Sequence, residues 1–432
     1  MLDFLSISSP KRKLPHSKWN ECFPYYAGFP EDFVQKIIET SGISRDSTVV
    51  DPWNGSGTTT YVASQLGYSS RGIDINPVMV LVARARSLAR SESDSIEPQA
   101  KNIVKDINRS TNKILLCDPL LNWFTPETAM VIRRIEKRIR TRLVNDDHVN
   151  SEARFGKISC FAATFYVALF TICRRFTRNF RPTNPTWLRL PKNTEAKISL
   201  TSSEVSRAFV IQAKIMAESL LLSQRRTEIG VSEIYVGDTT SLSNFNYADL
   251  IITSPPYCTR IDYTAATRIE LAIIDPLLTS LPEQISRKMI GSIRVPIEKI
   301  HPSEEWGQSC LDFLDQLVTH TSKASSGYYY KTHLDYFNKM YKSISNIGRI
   351  MKQDATAIFV VQDSHYKEIR NDVALILTEM ADQSGLLLDR QEDYQQKNSL
   401  AGINPRTKLY RKASGATESV LCFRKKSDKA TV

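Results

Sequence analysis

Short apolar runs of strand length alternate along the chain with segments of helical spacing. Thr48-Val49-Val50-Asp51, Ser69 to Asp74, Ile234-Tyr235-Val236 before Gly237-Asp238, and Leu250-Ile251-Ile252 before Thr253 are such runs, and each leads into a polar or acidic residue. Phe33-Val34-Gln35-Lys36-Ile37-Ile38 predicts an amphipathic helix entered through Pro30-Glu31-Asp32. Further on, Tyr336 to Met351 has helical periodicity, Ala355 to Asp363 reads as a buried strand, Asn371 to Ser384 as a helix and Glu418 to Arg424 as a final strand. Strands and helices in this alternation predict an α/β, doubly wound sheet.

The longest interruption, Ser93 to Ser232, reads as a mostly helical insertion. Pro126 to Arg140 is basic and amphipathic, while Cys160 to Cys173 is nearly all apolar yet too short and mixed to span a membrane. The apolar helix runs into Arg174-Arg175-Phe176-Thr177-Arg178-Asn179-Phe180-Arg181-Pro182, with Trp187 and Arg189 beyond. Arginines interleaved with aromatic rings and prolines suit contacts to phosphates and bases, or closure over an extruded base. The chain is therefore expected to divide into 1–92, the first part of a catalytic domain, 93–232, the insertion and candidate DNA-contact region, and 233–432, its remainder. Within the last part, 271–331, ending in Tyr328-Tyr329-Tyr330-Lys331, is a second candidate for sequence recognition.

The candidate chemistry sits at strand ends. After Asp51 comes Pro52-Trp53-Asn54-Gly55-Ser56-Gly57-Thr58-Thr59, a Gly-x-Gly turn opening a helix on small residues. Glycines let a ligand approach the backbone, and the helix start presents unpaired N–H groups. A carboxylate at Asp51 repels phosphate and suits a cationic amino-acid moiety, so the turn reads as a site for S-adenosylmethionine rather than a dinucleotide. Asp74 lies roughly twenty residues beyond the turn, where an acidic side chain meets ribose hydroxyls. Asp238 would accept from an adenine amino group.

Thr253-Ser254-Pro255-Pro256-Tyr257 forms a rigid loop after the apolar run. Two prolines fix φ and remove N–H donors, leaving Ser254 Oγ and the Pro255 carbonyl as acceptors beside the Tyr257 ring. The set fits a planar base with an exocyclic amine. Its hydrogens would be accepted at Ser254 and Pro255, and its face would stack on Tyr257, a contact contributing roughly 1–3 kcal/mol. The bland alternative for these residues alone is a proline-stiffened surface turn. Beyond the loop, Arg260, Asp262 and Tyr263 read as holding a nucleotide, or as internal salt-bridge partners.

Composition adds a partner and a compartment. Lys and Arg number 57 against 46 Asp and Glu, a net charge of +11, which favours a polyanion. The seven cysteines are scattered, with no C-x-x-C pair, and the histidines show no metal spacing, so a reducing compartment and no metal are expected. The N-terminus lacks the order of a secretory signal and no apolar run reaches membrane length, so the expectation is a cytoplasmic protein with no membrane partner. Ser6 to Lys18 and Lys425 to Val432 read as mobile tails, and Asn404 to Lys412 as a basic linker.

Together, Asp51 to Thr59 and Thr253 to Tyr257 resemble the cofactor and catalytic motifs of the DNA amino-methyltransferases, and Ser-Pro-Pro-Tyr is the form typical of the cytosine-N4 branch. Gly72-Ile73-Asp74 and Gly237-Asp238 resemble the intervening motifs, and Phe29-Pro30 with its neighbours is similar to the family's additional cofactor-pocket motif. The resemblance implies a Rossmann-like seven-stranded methyltransferase sheet, base flipping and direct methyl transfer, with Ser254, Pro255, Pro256 and Tyr257 catalytic. It implies a cofactor set of Tyr25, Phe29, Pro30, Asp51, Pro52, Trp53, Asn54, Gly55, Gly57, Thr58, Thr59, Asp74, Ile75, Gly237 and Asp238. Arg174, Arg175, Arg178, Arg181, Trp187, Arg260 and Tyr263 are the expected contacts to double-stranded DNA, Cys258 is expected as a wall residue rather than a nucleophile, and a restriction endonuclease is the expected partner. Adenine N6, or an amine in RNA, stays open as the acceptor, as does a non-catalytic binding protein. One departure from the family is the position of the largest gap, between the second and third acidic motifs.

Overall fold

The computed structural model describes residues 5–10, 22–23, 28–109, 114–144, 155–156, 158–182, 188–222, 230–242, 247–258, 263–396 and 416–426. Its strands are β1 (Thr48–Asp51), β2 (Ser69–Asp74), β3 (Ser232–Val236), β4 (Ala248–Thr253), β5 (Met351–Gln362), β6 (Ser364–Tyr366), β7 (Ile369–Asn371), β8 (Leu386–Gln396) and β9 (Ala416–Lys425). Seven of them form one sheet in the order β3-β2-β1-β4-β5-β9-β8, the doubly wound α/β sheet that the alternation predicts and the Rossmann-like seven-stranded methyltransferase arrangement that the resemblance implies. Pairing is parallel from β3 to β5 and antiparallel at β9 and β8. The order reverses between β1 and β4, whose carboxyl ends carry Asp51 and the Ser254 loop. Open α/β sheets bind ligands at such a switch point.

Period-two alternation divides the central strands between two apolar layers. Val49, Leu250, Ile252, Ile358 and Val360 face one layer with Phe33, Val34 and Ile37 of α1 (Glu31–Thr40) and Val62 of α2 (Thr58–Gln65). Val50, Ile251, Ala357 and Phe359 face the other. That second layer is closed by α11 (Gln308–Thr319), α12 (Tyr330–Ile350) and α13 (Val373–Gln383). Val49, Val50, Leu250, Ile251 and Ile252 are fully buried. Burying each such side chain contributes roughly 1.5–3 kcal/mol, which fixes the strand ends that carry the polar residues.

Between β2 and β3 run α3 (Pro77–Arg86), α4 (Ser93–Val104), α5 (Pro126–Leu143), α6 (Cys160–Phe176) and α7 (Ser202–Leu222). After β4 come α8 (Tyr263–Ala266), α9 (Arg268–Ile273) and α10 (Pro282–Lys288). One continuous apolar cluster joins α3, α4, α5, α6 and α7 to α9 and α10. The arginines of α5 serve this packing. Arg138 donates to the Ile103, Lys105 and Asp106 carbonyls at the end of α4, and Arg133 bonds Asp118 and the Ala272 and Ile273 carbonyls at the end of α9. A cation satisfying orphan carbonyls at a helix end is favourable. No described helix is long and apolar enough to cross a membrane.

One expectation is corrected, and two elements carry no sequence signal. The expected N-terminal tail is anchored over residues 5–10: Leu5 is buried, its carbonyl accepts from Arg390, and Ser6 N–H donates to Thr40 Oγ1. β8 lacks a strand-like apolar run, having Leu386, Leu387 and Leu388 and then polar residues, because it is the sheet's edge. The β6–β7 hairpin is a further element without a sequence signal, and Lys367 turns its tip with φ 52°. The basic stretch Asn404 to Lys412 lies outside the described residues.

Candidate active site

A cavity opens at the carboxyl ends of β1, β2 and β4 and encloses about 1060 Å³, open solvent at its mouth included. From β1 and its turn it takes Asp51, Trp53, Asn54, Gly55 and Thr58; from β2, Asp74 and Ile75; from the loop after β3, Asp238; and from the segment before α1, Phe29. The Ser254-Pro255-Pro256-Tyr257 loop and Tyr263 line it too. The candidate cofactor residues and the candidate acceptor loop thus share one cavity, as neighbouring strands at the switch point dictate.

Asp51 and Asp74 organise its floor. Thr253 Oγ1 donates to Asp51 Oδ1 at 2.6 Å, joining the end of β4 to that of β1, and Trp53 N–H donates to the same oxygen at 3.1 Å. Asp74 accepts from the Gly55 N–H at 2.9 Å and the Asn76 N–H at 2.8 Å, so it also shapes the glycine turn. Burial pushes the Asp51 carboxyl up to about 6 against the donors that lower it. Burial likewise raises Asp74 to about 6, with the Asp51 charge adding to the shift. Neither makes an ion pair among the described residues. Two such carboxylates at one cavity call for a cationic ligand. Gly57, at φ 77°, starts α2, and a Cβ there would lie 2.7 Å from Ala83 Cβ, so only glycine lets the turn close on α3.

Five of the expected cofactor residues stand behind the wall. Pro30 takes the N-cap position of α1, the Pro52 carbonyl accepts from Thr239, Gly57 packs on α3, Thr59 Oγ1 donates to the Ile252 carbonyl, and Gly237 packs on Ile73. They shape the cavity without lining it. Asp238 is on the wall, but its Oδ1 accepts from Thr240 N–H and Oγ1. Cys258 is buried in the apolar layer beneath α12 and lies off the wall. Tyr25, Trp187 and Arg260 lie outside the described residues, as does Asp262.

The expected DNA contacts separate on inspection. Arg174 sits within α6, where it pairs with the fully buried Glu270 and packs 3.9 Å from the Phe23 ring centroid; it is an internal residue. Arg175 bonds the buried Gln212 of α7 at 2.8 Å. Arg178 is exposed on the short turn Arg178–Phe180, and Arg181 follows it half-buried. Tyr263 belongs to the cavity, where its hydroxyl accepts from the Tyr257 N–H at 3.3 Å. Replacing Arg174 with Met is expected to lower stability by about 3–5 kcal/mol, since Glu270 is left uncompensated, while the salt dependence of DNA binding stays unchanged. Denaturation midpoints and a salt titration check both parts, and a flatter salt slope would return Arg174 to the DNA surface.

Sequence reasoning missed a second wall formed by Lys288, Met289 and Ile290, together with Asn76 and Thr267, which bond each other at 3.0 Å. No motif marks these residues. The acidic floor and the orphan donor Trp53 Nε1, buried without a partner among the described residues, fit the amine and carboxylate groups of S-adenosylmethionine.

Residues 4–84, which include Phe29, the glycine turn and Asp74, match the N6/N4 methyltransferase family model described as DNA methylase. The type II methyltransferase M.AvaI of a Nostoc species is 22% identical over 405 residues, covering 89% of this chain and 82% of that protein. M.BsoBI of Geobacillus stearothermophilus, also a type II methyltransferase, is 25% identical over 275 residues, covering 58% of this chain and 51% of that one. A crystal structure of a TehB-like SAM-dependent methyltransferase from Corynebacterium glutamicum, 9% identical, aligns over 91% of this chain and 87% of that one with a TM-score of 0.28. The family match over the cofactor segment, and relatives aligned along most of the chain, make this chain similar to the DNA amino-methyltransferases, with S-adenosylmethionine as its cofactor.

Proposed function

We propose that the protein is a site-specific DNA methyltransferase that moves the methyl group of S-adenosylmethionine to the exocyclic N4 amine of a cytosine flipped out of double-stranded DNA. The carrying observation is the common cavity: the Ser254 loop and the paired carboxylates Asp51 and Asp74 face one space from adjacent strands. The type II designation of the similar M.AvaI and M.BsoBI supports a role in a restriction-modification or defence system, with an endonuclease partner, in the cytoplasm.

The cofactor brings a methyl group already activated on a sulfonium. Asp51 holds the cationic end, and Asp74 the ribose hydroxyls. Extruding the base costs a few kcal/mol, which stacking on Tyr257 offsets. Ser254 Oγ makes no hydrogen bond among the described residues, so it is available to accept an amine hydrogen beside the Pro255 carbonyl. Drawing those hydrogens out of the ring plane leaves the nitrogen lone pair on the side of the methyl group. The bound cofactor would supply the methyl group, with the carbon–sulfur electron pair left on sulfur, and Ser254 would pass the proton lost by nitrogen to solvent. Placement in line is the main contribution. No thiol takes part in this reading, in keeping with Cys258 lying off the wall.

The test is incubation with labelled S-adenosylmethionine and unmethylated DNA or RNA, digestion to nucleosides and mass spectrometry. N4-methylcytosine in DNA is the expected product. N6-methyladenine, or a product in RNA, would replace the acceptor, and no product despite cofactor binding would overturn the catalytic reading.

A further inference from the structure

The acceptor side of the cavity has two walls from distant parts of the chain. Pro256 and Tyr257 belong to the loop after β4, and Met289 and Ile290, both buried, to the segment leaving α10. Neither wall is fixed by a strand ladder, and the first turns of α12 hold both. Tyr336 donates its phenol hydrogen to the Pro256 carbonyl at 3.1 Å. Lys339 Nζ donates to the Arg287 carbonyl at 2.6 Å, the Met289 carbonyl at 3.4 Å and Asp335 Oδ2 at 2.7 Å, so three ammonium hydrogens meet three acceptors. Just ahead of α12, Tyr328 donates to the Ile293 carbonyl at 2.7 Å. The walls touch where Gly291, at φ 76°, lies against the Tyr257 carbonyl; a Cβ there would sit 2.8 Å from that oxygen.

We propose that Tyr336 and the Asp335–Lys339 pair are positioning residues that set the spacing of the two acceptor walls, and so govern how the methyl-accepting base seats. The inference rests on the methyltransferase reading above. Lys339 lies four positions after Asp335 and three after Tyr336, a neighbour of each on the helix surface, so one helical turn acts on both walls at once. The ion pair is largely buried, with side chains 7% and 16% exposed. A buried pair adds little to stability compared with apolar residues of the same volume. The ammonium hydrogens not used by Asp335 go to the acceptor wall, and none goes to a candidate cofactor residue.

The test compares Lys339→Met, Lys339→Arg, Tyr336→Phe and the double variant Asp335→Asn/Lys339→Met with the wild type. Calorimetry gives the cofactor Kd, unmethylated phage DNA with labelled cofactor gives kcat and KM, and denaturation gives stability. Lys339→Met is expected to raise KM for DNA about tenfold or more through the displaced wall, with the cofactor Kd unchanged. Tyr336→Phe is expected to lower kcat, because the loop bearing Ser254 loses its brace. The double variant leaves no orphaned carboxylate, so it regains stability while KM stays high, and Lys339→Arg restores KM. Recovery of KM together with stability in the double variant, or equal losses of cofactor and DNA binding, would overturn the proposal. Wild-type activity on the same DNA separates the two readings. Absence of transfer by the wild type counts against the methyltransferase reading, and transfer with unchanged KM and kcat in every variant counts against the positioning role alone.

Discussion

Asp51→Asn is expected to weaken cofactor binding by about 10–150-fold while making the ligand-free protein more stable. A hydrogen bond to a charged group contributes about 1.5–3 kcal/mol, and the amide keeps the carboxylate's shape but loses its charge. The gain in stability comes from the same burial. Asp51 is 3% exposed, its pKa is pushed up to about 6, and it makes no ion pair among the described residues. Between about pH 4 and pH 6 the folded protein holds a proton that the unfolded chain has released, so this group's contribution to stability falls as pH rises through that window. Above it the cost is fully expressed, on the order of 2–3 kcal/mol for a shift of this size. The Asn side chain carries no such cost and can still accept from Thr253 Oγ1 and Trp53 N–H. Binding of a cation runs the other way: it favours the ionised carboxylates, so wild-type affinity is expected to fall below about pH 6, and the variant's affinity to fall less. Asp74 is open to the cavity, so the stability argument is confined to Asp51. Calorimetric titration across pH, with thermal unfolding of the ligand-free forms, measures both. An unchanged Kd would remove Asp51 from the binding role, and an apo variant no more stable than wild type would remove the stored cost.

This opposition of function and stability explains why the cavity floor was legible in the sequence. A carboxylate that closes an apolar run, as Asp51 does after Val49 and Val50, is costly unless something binds it, so the pattern itself points to a ligand. The central strands were legible for a related reason. Leu250-Ile251-Ile252 is buried on both faces and has no polar alternation to confuse it. β8 was not, because an edge strand places polar residues outward and reads as a loop. Nor does a run of arginines say where its charges go. Arg174 looks like part of a solvated patch, but it pairs with Glu270, 96 positions away, while the exposed Arg175 bonds Gln212, 37 positions on, and only the fold brings these partners together. Met289 and Ile290 pose the same difficulty. They are ordinary apolar residues in an unpatterned stretch, placed at the cavity by contacts from Tyr328, Lys339 and Gly291.

Ser254→Ala is expected to lower kcat by about 100–1000-fold with the cofactor Kd unchanged, the range seen when one preorganised polar contact to a reacting group is removed. The split follows from geometry. Asp51 is bridged to the end of β4 by Thr253, not Ser254, so the cofactor side keeps its hydrogen bonds when the neighbouring hydroxyl is lost. The acceptor side keeps its shape as well, since Tyr336 holds the Pro256 carbonyl and Tyr263 the Tyr257 N–H. What disappears is one acceptor for an amine hydrogen at the moment the nitrogen becomes tetrahedral. The Pro255 carbonyl alone then opposes conjugation of the lone pair with the ring. Single-turnover methyl transfer isolates this step from product release. A variant that transfers at the wild-type rate would show that the hydroxyl does not act on the amine, leaving the main-chain carbonyls and in-line placement to supply the whole effect.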